Sequence, residues 1–282
     1  MKIGFSGLLW SAQFGPKQVP VLQALKKAGY DGIEVPVFAG KPKDYAKLSR
    51  ILDDIGLERT SITVVPGGSS PISPDRKERQ AAVDYLKWTV DCSAAMDSHS
   101  VAGPLAQTLG QFSGKPPTET EWKRCRDVHR IVGDYARDHD VTMAIEAVNR
   151  FETYFANTMD DLGRYVSMVG HPNIKAMYDT FHANIEEKDP VAAYTRNVKH
   201  VVYIHISEND RGVPGRGHVP WSETFRAIRK SGYDGWLTIE SFGRALPALA
   251  AATRVWRDFA ESPEAVYRDG IKMIRRNWAA AA

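Results

Sequence analysis

The sequence lacks most of the features that mark secreted, membrane or thiolate-metal proteins. It has two cysteines, Cys92 and Cys125, and their separation fits neither a disulfide framework nor a CxxC metal site. No run approaches the ~18 apolar residues of a membrane span, and the N-terminal stretch IGFSGLLW is too short and interrupted for a secretory signal. We therefore expect reduced cysteines, no membrane association and a cytoplasmic location.

Blocks of like charge and domain linkers are also missing. The 37 basic and 34 acidic side chains give a net charge of +3 and are spread along the chain, so no basic patch predicts a nucleic-acid partner. No stretch rich in proline, glycine or serine divides the sequence. With 43% hydrophobic residues, the chain can bury one core of the size of a single α/β barrel. The prediction is one domain over residues 1–282.

Short apolar or β-branched runs alternate with stretches of helical periodicity along the chain. Eight runs have the length and composition of buried strands: KIGFSGLL, GIEVPVF, ERTSITVV, SHSVAG, VTMAIEAV, IKAMYDTF, HVVYIHIS and GWLTIESF. Strands that alternate with helices predict a parallel sheet, and eight of them predict closure into a (β/α)8 TIM barrel. No strand follows residues 251–278, which predicts additional C-terminal helices.

Four consecutive predicted strands carry a potential metal ligand near their carboxyl ends. Side chains alternate along a strand, so when Ile145 faces the helices, Glu146 points into the barrel. The same parity directs one residue from each of the next three strands inward, namely Asp179, His205 and Glu240. Because active sites of these barrels lie at the carboxyl ends of the strands, we expect the four side chains to converge.

Three carboxylates and an imidazole in a buried barrel mouth require a balancing positive charge. Like charges at short range would otherwise force some of the acids to take up protons. A divalent cation removes that conflict, and a ligand set dominated by oxygen suits Mn²⁺, Mg²⁺ or Co²⁺ better than structural zinc. The alternative is that each acid is an ordinary surface group at a strand end, which is a weak explanation for four adjacent strands.

Three further side chains lie in the loops just beyond these strands: Glu152, His182 and Arg211. An acid, an imidazole and a guanidinium offer complementary hydrogen bonds to the oxygens of a polyol held at the metal. Each also has a structural interpretation, respectively as a helix-start acid, a hydrogen-bonded loop histidine and a solvated loop charge.

The early strands give weaker indications. Phe5 and Trp10 are candidates for pocket walls, although a core or rim position is the favoured interpretation of each. Glu34 ends the second predicted strand and is within reach of the barrel mouth, but we interpret it as an ordinary strand-end acid. His218 lies in a glycine-rich loop, and we expect it to have a structural or surface role.

Four segments resemble the signature segments of the ketose 3-epimerases, the D-tagatose 3-epimerase and D-allulose (psicose) 3-epimerase group. This group belongs to the sugar phosphate isomerase/epimerase superfamily, with a xylose isomerase-like barrel. The segments are AIEAVNRFETYFANT, YDTFHANIEE, HISENDRGVPGRGHVPW and YDGWLTIESF. By position, the resemblance implies one divalent ion, Mn²⁺ before Mg²⁺ or Co²⁺, bound by Glu146, Asp179, His205 and Glu240. It also implies that the substrate oxygens near C1 to C3 are held by Glu152, His182 and Arg211.

The resemblance also implies a reaction, the inversion of C3 in a free ketose such as D-tagatose, D-fructose, D-allulose or L-ribulose. The metal would stabilise a cis-enediolate, and Glu146 and Glu240 would exchange the C3 proton on opposite faces as acid and base. Relatives assemble through barrel-end surfaces, which implies a homodimer or homotetramer.

Other functions stay open at this point. A single base that moves a proton between C1 and C2 would make the protein an aldose–ketose isomerase, and a related lyase would act on a sugar derivative through the same enediolate. A nuclease of the endonuclease IV type shares the barrel but needs several metal ions and a basic surface. A protein that only binds sugar would not need both Glu146 and Glu240.

Overall fold

The structure, a computed structural model that describes residues 1–281, is a closed barrel of eight parallel strands in sequential order. The strands are β1 (Lys2–Ser6), β2 (Gly32–Pro36), β3 (Glu58–Ile62), β4 (Ser100–Gly103), β5 (Thr142–Ile145), β6 (Ile174–Asp179), β7 (Val201–Ile206) and β8 (Trp236–Ile239). Pairing of β1 with β8, in which Phe5 lies opposite Ile239, closes the sheet. The prediction of a (β/α)8 TIM barrel is confirmed.

Ten α-helices lie within the described residues. They are α1 (Val19–Ala28), α2 (Pro42–Ile55), α3 (Arg76–Ala95), α4 (Glu119–Asp138), α5 (Met159–Val169), α6 (Thr180–Glu186), α7 (Pro190–Asn197), α8 (Trp221–Lys230), α9 (Pro247–Ala252) and α10 (Pro263–Ala280). The helix α10 supplies the predicted C-terminal extension. The short α6 was not predicted, because its seven residues follow β6 directly and are too few to show a helical period.

Several predicted strands are longer than the observed ones. The run VTMAIEAV was predicted to be a strand through Val148, but β5 ends at Ile145, so that Glu146 is the first residue beyond the strand. The backbone N–H of Glu146 still donates to the carbonyl oxygen of Gly103 at 2.9 Å. Gly103 has φ 127°, and a Cβ there would lie 2.2 Å from the carbonyl oxygen of Thr63. This close approach at the end of β4 requires glycine.

Side chains fill the barrel beneath its carboxyl end. Ala102, Ala144, Met177 and Tyr203 form a buried cluster inside the barrel. The Tyr203 hydroxyl forms hydrogen bonds of 2.7 Å to Thr60 and 2.8 Å to Thr238. The interior is therefore a packed floor rather than a pore, and an inward group just above this floor faces a cavity at the carboxyl end.

Three sequence predictions concern the chain as a whole. Cys92 and Cys125 are both buried and free, as predicted. Over residues 1–281, none of the helices has the length and apolar character needed to cross a membrane. The prediction of one domain over residues 1–282 includes Ala282, which lies outside the described residues, and it stays a prediction.

Candidate metal centre and active site

The four predicted metal ligands come together at the carboxyl end of the barrel. They come from β5 to β8. Glu146 and Glu240 directly follow their strands, whereas Asp179 is the last residue of β6 and His205 the last but one of β7. One ligand atom of each residue lies within 4.8 Å of the ligand atoms of the other three. The side chains are almost inaccessible, with exposed fractions of 6, 3, 0 and 3% for Glu146, Asp179, His205 and Glu240.

Hydrogen bonding leaves two atoms of this cluster without a protein partner. Among the described residues, Glu146 Oε1 and His205 Nδ1 are buried and form no hydrogen bond, which costs about 1–3 kcal/mol for each such group. The distance from His205 Nδ1 is 3.6 Å to Asp179 Oδ2 and 3.5 Å to Glu240 Oε2. A divalent cation among these atoms would satisfy both, and three carboxylates with one imidazole suit such an ion. The residues present therefore fit a bound metal ion.

The pKa values in the cluster reflect its crowded charges. Burial raises the pKa of Glu146 well above its usual value, and the charges of Asp179 and Glu240 raise it further. Burial also opposes ionisation of Asp179, but the charge of Arg211 and the neighbouring His205 outweigh it and lower this pKa. A bound cation would favour the ionised form of Glu146. The charges of the cluster are therefore better balanced when a cation is bound than when the site is empty.

Arg211 lies at the edge of the cluster with a fixed guanidinium. Its Nη1 donates to Asp179 Oδ2 at 3.0 Å and to Glu240 Oε2 at 2.5 Å. The guanidinium carbon lies 3.7 Å from the ring centroid of Phe181 and 4.9 Å from that of Phe242, so two aromatic rings hold the planar group. The structure thus brings a predicted substrate-binding residue next to the predicted metal ligands.

His182 and Glu152 are linked by Asn149, a residue that the sequence analysis did not assign to the site. The backbone N–H of Asn149 donates to His182 Nδ1 at 3.2 Å, and its side-chain amide contacts the same nitrogen at 2.9 Å. The amide also donates to Glu152 Oε1 at 2.8 Å. Burial lowers the pKa of His182 to about 3, so the ring is neutral. The other ring nitrogen, Nε2, lies 3.1 Å from Arg211 Nη2 and 3.4 Å from Glu146 Oε1, so the imidazole also contacts the guanidinium and the metal cluster.

The loop that carries Arg211 is anchored by Glu208, a second residue missed from the sequence. The Glu208 carboxylate accepts hydrogen bonds from the backbone N–H groups of Gly215 and Val219 at 2.7 and 3.1 Å. It also accepts one from the indole of Trp221 at 2.9 Å. No sequence motif predicted this role, because the donors are mostly backbone groups of the folded loop.

The structure confirms the favoured interpretation of the early aromatic residues but not that of the acid on β2. Phe5 is fully buried and stacks on Trp10 with ring centroids 4.9 Å apart, so both pack in or at the core, as favoured. His218 is exposed. The interpretation of Glu34 as an ordinary strand-end acid is wrong: its side chain is fully buried, and its Oε1 lies 2.9 Å from His205 Nε2.

A cavity of about 280 Å³ opens above the cluster. One end is polar, and its lining comprises Glu146, Glu152, His182, Arg211 and Glu240. The remaining wall is mainly apolar and includes Leu8, Phe38, Ile62, Leu109, Phe242 and Leu249. A larger cavity of about 500 Å³ opens at the other end of the barrel, but none of the seven predicted site residues lines it.

Comparison with known proteins agrees with this geometry. The family described as xylose isomerase-like TIM barrel matches residues 22–277. The D-psicose 3-epimerase of Agrobacterium fabrum is 31% identical over 256 residues, which cover 89% of this chain and 87% of that protein. The chain belongs to the ketose 3-epimerases of this barrel family.

Solved structures of ketose 3-epimerases share the fold over nearly the whole chain. An L-ribulose 3-epimerase superposes with a TM-score of 0.94 at 28% identity and covers 99% of this chain and 95% of that one. A D-psicose 3-epimerase from Clostridium cellulolyticum H10, solved with D-tagatose, gives a TM-score of 0.89 at 26% identity, with 100% and 99% covered. The prediction of an enzyme of the isomerase class, a carbohydrate epimerase, is confirmed.

Proposed function

We propose that this ketose 3-epimerase homologue is a metal-dependent enzyme that inverts C3 of a free ketose. D-Tagatose, D-fructose, D-allulose and L-ribulose are the candidate substrates. The observation that carries the proposal is the pair of buried glutamates, Glu146 and Glu240, which share one cluster with Asp179 and His205. Inversion needs an acid and a base on opposite faces of a planar intermediate, whereas proton transfer between C1 and C2 needs only one base.

The four clustered residues would hold one divalent ion, Mn²⁺ before Mg²⁺ or Co²⁺. When bound, the ion supplies the positive charge that polarises the carbonyl group beside C3 and makes the C3 proton more acidic. One of the two glutamates, Glu146 or Glu240, removes that proton as a carboxylate and becomes a carboxylic acid. The other donates a proton to the opposite face of the enediolate, and the two exchange roles in the reverse reaction.

The remaining polar groups of the cavity orient the sugar. His182 presents the Nε2 side of its imidazole, Arg211 donates from its guanidinium, and Glu152 accepts from a hydroxyl group, which together suit the oxygens near C1 to C3. Binding these oxygens fixes the C3 hydrogen with respect to the two glutamates, and positioning of this kind accounts for a large part of many rate enhancements.

The lining of the cavity supports an unphosphorylated substrate. Among the lining residues, Arg211 is the one with a permanent positive charge, and it is already engaged with Asp179 and Glu240. A terminal phosphate at the apolar end would meet Phe38, Leu249 and similar side chains, which offer it no compensating charge. We therefore propose a free sugar as the substrate.

The test is incubation of the Mn²⁺-loaded protein with a panel of ketoses in deuterated water, followed by NMR. Deuterium at C3 together with the C3 epimer supports the proposal. Deuterium at C1 with an aldose product would make the protein an isomerase, and cleavage of abasic DNA without sugar turnover would make it a nuclease. Absence of exchange with every sugar would leave only a binding role and refute the proposed activity.

We also propose a homodimer or homotetramer as the active assembly. Large apolar side chains are exposed on the isolated chain, including Phe112, Ile131, Phe151 and Trp256 at 49–69%. Exposed side chains of this size are typical of contact surfaces. Light scattering measures the assembly, and a monomer at micromolar concentration would contradict the proposal.

A further inference from the structure

Glu34 is a fully buried acid that neither the proposed catalysis nor the substrate contacts use. It lies on β2, where Ser6 and Thr60 are its neighbours on the adjacent strands. Its Oε1 lies 2.9 Å from Nε2 of His205, and both side chains have 0% exposure. The strands β2 and β7 are not adjacent in the barrel, so this contact crosses the barrel interior.

A carboxylate at this position is costly unless it has a specific partner. Burial of an ionised acid is strongly unfavourable without a hydrogen bond or a counter-charge. The second oxygen of Glu34, Oε2, forms no hydrogen bond with any described residue. Within residues 1–281, the imidazole of His205 is the one hydrogen-bond partner of this carboxylate. The contact with His205 is therefore the interaction that explains why an acid occupies the position.

The contact also determines what the other ring nitrogen of His205 can do. A carboxylate accepts hydrogen bonds, so Nε2 donates its proton to Glu34, and Nδ1 is the nitrogen left to bind a metal ion. Nδ1 points into the cluster, 3.6 Å from Asp179 Oδ2 and 3.5 Å from Glu240 Oε2. It has no hydrogen-bond partner among the described residues. The ring is thus held in the orientation that a metal ligand requires.

We propose that Glu34 is a positioning residue that fixes the tautomer and orientation of His205 and thereby increases the affinity of the four-residue cluster for a divalent ion. The inference rests on the metal dependence in the proposed function. It extends that function with a residue that touches neither the ion nor the sugar, because Glu34 acts only through the imidazole. Carboxylates that orient a ligating histidine in this way typically change metal affinity by about 10- to 100-fold.

The test compares Mn²⁺ affinity in variants of the full-length protein after removal of bound metal with EDTA. The free Mn²⁺ signal in electron paramagnetic resonance gives the Kd. Glu34→Leu removes the acceptor, whereas Glu34→Gln keeps a carbonyl oxygen that can accept from Nε2. Thr60→Val is the matched control, because it removes a hydroxyl group from the adjacent strand, where Thr60 Oγ1 forms a hydrogen bond of 2.7 Å to Tyr203, and leaves the metal ligands untouched.

We expect Glu34→Leu to raise the Kd about 10- to 100-fold, Glu34→Gln to raise it less, and Thr60→Val to leave it within twofold. A Kd for Glu34→Leu within twofold of wild type overturns the inference, as does an equal loss in Thr60→Val. Those results would leave the proposed function intact. Failure of the wild-type protein to bind Mn²⁺, in contrast, would overturn both.

A second measurement does not depend on the folding of Glu34→Leu. In the Mg²⁺-loaded wild-type protein labelled with ¹⁵N-histidine, the His205 signals are expected to show a proton on Nε2 and none on Nδ1. The signals are identified by their loss in His205→Asn. A proton on Nδ1 would overturn the inference, because Nε2 would then be the nitrogen available to the metal.

Discussion

Asn149 connects the two side chains that would bind the sugar, and its replacement gives the sharpest test of the site. It is 2% exposed and forms hydrogen bonds of 2.8 Å to Glu152 and 2.9 Å to His182. Asn149→Ala removes both of these contacts and the hydrogen bond that Asn149 Oδ1 accepts from the backbone N–H of Phe151 at 3.0 Å, but it leaves the backbone N–H bond to His182 Nδ1 in place. The metal ligands lose no hydrogen bond, so we expect substrate binding and turnover to change while metal affinity does not.

The magnitude follows from the two lost interactions with Glu152 and His182. A hydrogen bond to a charged group is worth about 1.5–3 kcal/mol and a neutral one about 0.5–1.5 kcal/mol. If roughly half of that sum reaches the transition state, the barrier rises by about 1–2 kcal/mol, which corresponds to a fall in kcat/KM of about 5- to 30-fold. The remaining bond to His182 keeps the effect below complete inactivation.

The assay measures kcat/KM for C3 epimerisation and the Kd for Mn²⁺ in the same preparations. Asn157→Ala is the matched control, because Asn157 lies in the same loop and donates to the carbonyl oxygens of Val148 and Thr153 without a contact to the site. A kcat/KM within twofold of wild type for Asn149→Ala would refute the reasoning. An equal loss in Asn157→Ala would show that the loop, rather than the bridge between Glu152 and His182, is responsible.

Three further predictions concern the metal, the acid–base pair and pH. Mn²⁺ at 100 times its Kd should raise the free energy of unfolding by about 2.7 kcal/mol, and thermal unfolding should show no such gain for Asp179→Asn. Glu146→Gln and Glu240→Gln should each lower the turnover number by about 10²- to 10⁴-fold, whereas the surface control Glu223→Gln should keep wild-type turnover. Burial lowers the pKa of His129 from 6.5 to about 4, so the unfolded chain binds this proton more readily. Stability should therefore fall by up to about 3 kcal/mol as the pH drops from 6.5 to about 4; urea unfolding measures this loss, and a pH dependence unchanged in His129→Gln would contradict the explanation.

Strand parity was sufficient to predict the convergence of the four clustered residues. Each lies at the carboxyl end of a buried strand, so alternation decides whether it points inward, and the closed sheet then brings successive strands together. The exact ends of the strands matter little for this inference. Although β5 stops at Ile145, the side chain of Glu146 still points into the barrel, as the alternation along the strand predicts.

The supporting residues could not be predicted in the same way, because their partners are distant in sequence. Glu34 and His205 are separated by 171 positions and meet across the barrel, whereas parity alone gives only the direction of each side chain. Asn149 and His182 are 33 positions apart, and their contact depends on how the loop after β5 turns toward α6. A second clue was present for Glu34, since an inward-facing acid in the middle of β2 has no exposed surface once the barrel closes.

The unfavourable features of the isolated site share one physical explanation. Glu146 has a raised pKa, and within residues 1–281 two buried ligand atoms and one oxygen of the buried Glu34 have no hydrogen-bond partner. Each of these costs stability, and none would be needed if the barrel mouth only had to be packed. A cation in the cluster would stabilise the ionised Glu146 and engage the unpaired Nδ1 of His205, whose ring Glu34 holds. These groups lower the free energy of unfolding when no metal is bound, and a bound cation would remove that cost. Mn²⁺ binding should therefore stabilise the fold as well as enable proton transfer.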